Sequence, residues 1–73
     1  MTKWKTSWEW GDKKLIAAEA GISATTLSDI IAGRRSCGFK RAMDLEDVCR
    51  RYGYKVTKYQ WVFPDQRTHN PLF

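Results

Sequence analysis

The sequence predicts an all-α fold, a small bundle of four to five helices, and three observations carry that prediction. Apolar residues recur at helical spacing from Phe39 to Tyr52. Helix-forming stretches end on Gly21, Gly33 and Gly53, residues that tolerate the left-handed backbone closing a helix. Ser23 and Thr57, both good N-caps, stand directly before two further helix-forming stretches.

Taken in order, the first element is the hardest to read. In MTKWKTSWEWG, Trp4 and Trp8 lie one helical turn apart, while Trp8-Glu9-Trp10 alternates as a strand would. A short or irregular helix over about residues 3 to 10 is expected, with its tryptophans forming a lid on the core. The next stretch, LIAAEAGISATTLSDIIAGRR from Leu15 to Arg35, divides at Gly21 into two helices. Lys13 and Lys14 begin the first, and the second runs from Ala24 to Ala32 behind the Ser23 cap. The loop Ser36-Cys37-Gly38 leads into the longest helix, Phe39 to Tyr52. Its stripe of Phe39, Ala42, Leu45, Val48, Cys49 and Tyr52 should face the two preceding helices. Thr57 then caps a short helix, Lys58 to Phe63, which Pro64 closes.

Seventy-three residues make one domain with a marginal core, here divided into a helical unit at 1–64 and a tail at 65–73. That tail ends in Asn-Pro-Leu-Phe, apolar enough to dock on its own protomer or on a second copy. Tyr59, Trp61, Val62, Phe63, Leu72 and Phe73 supply the apolar mass for either use.

The link Gly21-Ile22-Ser23 is too short to let its two helices run side by side, so they should cross steeply. Counting from Gly21, a small residue stands four before it, Ala17, where a crossing helix would pass. Apolar residues stand five before, one after, six after and nine after it: Ile16, Ile22, Leu27 and Ile30. With this set the chain, from about Asp12 to Pro64, resembles the Cro and lambda-repressor class of helix-turn-helix proteins. The resemblance implies a lambda-repressor-like bundle, and a sequence-specific regulator of phage type that represses, often its own promoter, by occupying an operator. Matched position for position, it also implies that Ala24, Thr25, Ser28 and Asp29 face bases in the major groove.

The residues allow that chemistry. Methyls of Ala24 and Thr25 suit thymine methyls, hydroxyls of Thr25 and Ser28 donate or accept, and Asp29 can accept from a cytosine amine. No arginine or glutamine stands there for a bidentate contact, so DNA shape and the flanking arginines should supply part of the discrimination. Thirteen basic against eight acidic residues give a formal charge of +5 and a sequence pI near 9.5, which favours a polyanionic partner. The basic pairs Lys13–Lys14, Arg34–Arg35 and Lys40–Arg41 flank the second helix, where they, with Ser23 and Thr26, are candidates for phosphate contacts. One such helix covers few base pairs, so a homodimer on double-stranded operator DNA is expected.

Other classes fare worse. Cys37, Cys49 and His69 offer three ligands at a spacing that does not suit a four-ligand zinc site. His69 has no expected nucleophile beside it, and Asp44 and Asp47 lie on an exposed helix face, so neither catalysis nor a cofactor or small-molecule effector is expected. No apolar run is long enough for a membrane span or a signal peptide, which points to the cytoplasm and to free thiols. The competing reading is an adaptor or antitoxin that uses the same two helices to bind protein.

Overall fold

A computed structural model describes residues 3–73. The protein is all-α: α1 (Trp10–Ala20), α2 (Ala24–Ile31), α3 (Phe39–Arg51) and α4 (Lys58–Val62), followed by a 3₁₀ turn, Pro64–Arg67. Helix α1 packs against both α2 and α3, and α3 packs against α4, which in turn meets the 3₁₀ turn.

Gly21 has φ 77°, and around it the amides of Gly21 and Ile22 donate to Ala18 and Ala17, at 3.2 and 2.9 Å. That is a Schellman ending, which satisfies carbonyls α1 would otherwise leave free. Arg41 of α3 adds a further bond, from Nη1 to the carbonyl of Ala20. At the next junction Ser23 caps α2 as expected, accepting from the Thr26 amide at 3.0 Å. The Thr57 cap is a full capping box, because Gln60 returns a side-chain acceptor to the Thr57 amide.

Ile16, Ala17, Leu27 and Ile30 are buried together with Ala42, Leu45 and Cys49, so the helical faces read from spacing form the core. Ile22 packs on it while half-buried. Phe39 departs from expectation: it is the first residue of α3, beyond the reach of α1 and α2, and stays exposed against Tyr59, 5.9 Å away ring to ring. Tyr54 takes the aromatic place inside, because Gly53, at φ 89°, turns the chain back over the core.

The helix expected over residues 3 to 10 is absent, and residues 3–9 run without helix until α1 starts at Trp10. Tertiary bonds replace helical ones there. The Lys5 amide donates to Gly53 at 2.9 Å and the Glu9 amide to the Tyr54 hydroxyl at 3.2 Å. This course lets Trp8 stack on Tyr54, ring centroids 4.7 Å apart, and donate its indole N–H to the Leu72 carbonyl at 2.9 Å. Of the N-terminal tryptophans only Trp8 is a lid; Trp4 and Trp10 remain exposed.

The tail closes the protomer's own core. Leu72 is buried and Phe73 meets Trp61 edge to face at 5.8 Å. Arg67, only 9% exposed, sends its guanidinium inward to main-chain carbonyls of Ile30, Ile31, Gln60 and Trp61. Trp61 and Leu72 are therefore core residues, unavailable to a second copy, whereas Tyr59 and Phe63 are exposed.

Candidate nucleic-acid interface

The candidate surface is built on α2, whose apolar side is held inward by Leu27 and Ile30. That packing leaves Thr25 exposed, with Ala24, Thr26, Ser28 and Asp29 half-buried around it. All four positions expected to face bases thus reach the solvent side of one short helix, with Ser23 at its N-terminal end. The side chains are small, so the helix backbone can approach a partner closely.

Hydrogen bonds divide the polar groups into engaged and free ones. Ser23 Oγ accepts from the Thr26 amide and donates to Thr26 Oγ1 at 2.8 Å, so its proton is already used. Thr26 accepts that bond and keeps its own proton, which makes it the better phosphate donor of the two. Asp29 Oδ1 accepts from Arg34 Nε at 3.1 Å and from Nη2 at 3.0 Å. The Asp29 carbonyl also accepts from the amides of Arg34 and Arg35, at 2.9 and 3.3 Å. Asp29 therefore fixes the arginine pair against the end of α2, and Arg34 reaches a partner only with the edge of its guanidinium that Asp29 leaves open.

The remaining cations differ in the same way. Arg35 makes no ion pair among the described residues and is exposed. Arg41 is turned toward Ala20 and buttresses the turn between α1 and α2, a structural duty that spacing did not reveal. Lys40 borders an open cleft with Gly38, Arg41 and Asp44. Lys13 and Lys14 hold their ammonium groups 5.2 and 5.8 Å from the ring centre of the exposed Trp10.

Family models, curated proteins and solved structures yield no match to this chain. The chemistry of the surface thus rests on its own residues.

Reactive groups elsewhere are muted. Cys37 and Cys49 are free and buried, and burial pushes the Cys49 thiol up to about 12, far from a nucleophilic thiolate at neutral pH. Burial likewise raises Cys37, against the opposing pull of Arg41 and Arg67. His69 is exposed in the tail. Among the described residues no group of three His, Cys, Asp or Glu side chains is placed to hold a metal, and no helix is long and apolar enough to cross a membrane.

Proposed function

We propose that the protein is a sequence-specific regulator that binds double-stranded DNA by laying α2 in the major groove, acting in the cytoplasm as a repressor of the phage type. The observation that carries this reading is the solvent side of α2: small side chains at Ala24, Thr25 and Ser28, ended by the Asp29-anchored Arg34 and by Arg35, which makes no ion pair among the described residues. A helix of this kind fits a groove about 12 Å wide, and arginines at its end meet the phosphates that border it. Thr25 and Ser28 read bases, Thr26 and Arg35 hold the backbone, and two copies on a two-fold operator supply the affinity that one short helix lacks. The resemblance to Cro and lambda-repressor proteins supports the same assignment, as does the net charge of +5.

Incubating the full chain with a random duplex pool and sequencing what it retains tests the proposal. Enrichment of a two-fold related motif is the expected result. Failure to retain any duplex at low salt would overturn it in favour of a protein-binding adaptor or antitoxin.

A further inference from the structure

On the side of the bundle formed by α3 and α4, four large apolar side chains lie open to solvent. Phe39, Met43, Tyr59 and Phe63 are 44, 52, 52 and 51% exposed. Phe39 and Met43 stand one turn apart on α3; Tyr59 stands on α4, and Phe63 follows at its end. The edge contact of Phe39 with Tyr59, 5.9 Å between ring centres, joins the two helices' contributions. An aromatic side chain offers about 150–250 Å², so these four leave on the order of 400 Å² of apolar surface uncovered. A patch of that size on a monomer is commonly a binding surface.

We infer that this patch is the face on which a second copy of the chain docks, with Lys40 of each copy set against Asp44 of the other. The charge pattern favours a copy over an unrelated partner. Lys40 follows Phe39 and Asp44 follows Met43, so opposite charges accompany the apolar row at the same one-turn spacing. Among the described residues neither has an ion-pair partner within its own chain. A two-fold axis crossing α3 between those turns brings Phe39 to Met43 and Lys40 to Asp44, twice over, which is the self-complementarity an isologous interface requires. The area agrees: two patches remove roughly 800 Å² in total, and a polar rim brings this to the ~1,200 Å² of a small specific interface. Lys58 belongs to that rim, its ammonium 5.4 Å from the ring centre of Tyr59. Lys40 then serves the subunit contact and leaves the phosphate set.

This interface gives the DNA-binding reading its two-fold partner and rests on that reading only for its purpose, so the test is run without DNA. Sedimentation of the full chain from sub-micromolar to tens of micromolar should show a monomer–dimer equilibrium. Met43→Glu should raise the dimer dissociation constant by about tenfold or more while the helical circular dichroism stays unchanged. Lys40→Asp and Asp44→Lys should each self-associate more weakly than the parent chain, and an equimolar mixture of the two should form a heterodimer tighter than either variant alone. A parent chain that stays monomeric, a folded Met43→Glu that dimerises as before, or a mixture no tighter than its components overturns the inference. If Met43→Glu fails to fold, the mixing result decides. A monomer that still enriches a DNA motif would remove this interface and leave the DNA reading standing; a dimer that retains no duplex would do the opposite.

Discussion

The guanidinium of Arg67 donates through Nη1 to the main-chain carbonyl of Ile30 at 3.1 Å and to that of Ile31 at 3.2 Å, across an interval of more than thirty residues. Those carbonyls belong to the last turn of α2, where the helix dipole is negative, and the Ile30 carbonyl also accepts from the Gly33 amide at 3.2 Å. Nε donates to Gln60 at 2.6 Å, Nη2 donates to Trp61 at 3.3 Å, and the ring of Phe73 lies 4.4 Å from the guanidinium carbon. The charge has no carboxylate partner among the described residues and is held by carbonyl dipoles and the face of the Phe73 ring. One side chain of the tail thus fixes the end of α2 to the end of α4.

Arg67→Met should accordingly destabilise the fold. Ile30 keeps the Gly33 amide, but the carbonyls of Ile31, Gln60 and Trp61 lose the Arg67 donor, at about 1–3 kcal/mol for each left buried without one, so a loss of roughly 3 kcal/mol is expected. Urea denaturation measures it, and amide exchange at the C-terminal end of α2 should accelerate before that of α3. A variant as stable as the parent chain would show that Arg67 is not the clasp.

How far these features were legible in the sequence follows from how local their causes are. Ser23, Thr57 and Gly21 act within one turn of themselves, and the caps and the first turn formed where those residues stand. Ile16, Ala17, Leu27 and Ile30 are buried, as helical spacing required. Residues whose partners are distant main-chain groups left no such trace. Arg41 reads as a phosphate-contact candidate and Arg67 carries no signal, because their acceptors are carbonyls, which no residue type announces. Residues 3–9 gave up helix for bonds to Gly53 and Tyr54, set by where α3 ends. On the candidate surface, the small side chains of α2 were plain. The Asp29–Arg34 pair was not, since Arg34 lies past the helix end, where one-turn pairing rules do not apply.

That pair separates the two arginines experimentally. The Arg35 side chain has no ion-pair partner among the described residues, so Arg35→Ala should weaken binding to all duplexes roughly alike and reduce the salt slope by about one phosphate contact. Arg34→Ala should also release Asp29 and change which sequence is preferred. Affinity titrations at several salt concentrations read both effects. A sequence-selective loss for Arg35→Ala at constant slope would mean that it reads a base.

Asp29 places a negative charge on a surface proposed to meet phosphates, and part of that charge is offset by Arg34 at 3.0 Å. Asp29→Ala should therefore raise affinity for arbitrary duplexes while lowering discrimination among them, as one repulsive charge goes and the arginine is no longer fixed. Competition between the selected operator and random duplex measures the ratio. Weaker binding to both DNAs, with the ratio intact, would place Asp29 outside the reading surface and leave it as a helix-end anchor.

The network joining residues 3–9 to α1 makes stability depend on pH at both ends of the scale. Lys5 Nζ lies 2.6 Å from Asp12 Oδ2, and the Tyr54 hydroxyl donates to the same oxygen at 2.7 Å. The Lys5 ammonium, and after it the Tyr54 hydroxyl, hold the Asp12 carboxyl below its ordinary value. A folded-state pKa depressed in this way contributes stability that is present above the unfolded value, near 3.9, and is lost as pH falls through the folded one. At the alkaline end the signs reverse. Lys5 is raised to about 12, chiefly by Asp12, so its contribution is complete below about 10.4 and disappears as pH rises toward 12. Tyr54, raised first by burial and then by Asp12, loses its contribution on the same alkaline side. Asp12→Asn keeps an acceptor for Tyr54 but removes the charge, so it should flatten the acid limb of the stability profile and weaken the part of the alkaline limb that Lys5 supplies. Urea midpoints measured from acid to alkaline pH test this, and an acid limb equally steep in the variant would assign that loss to other carboxylates.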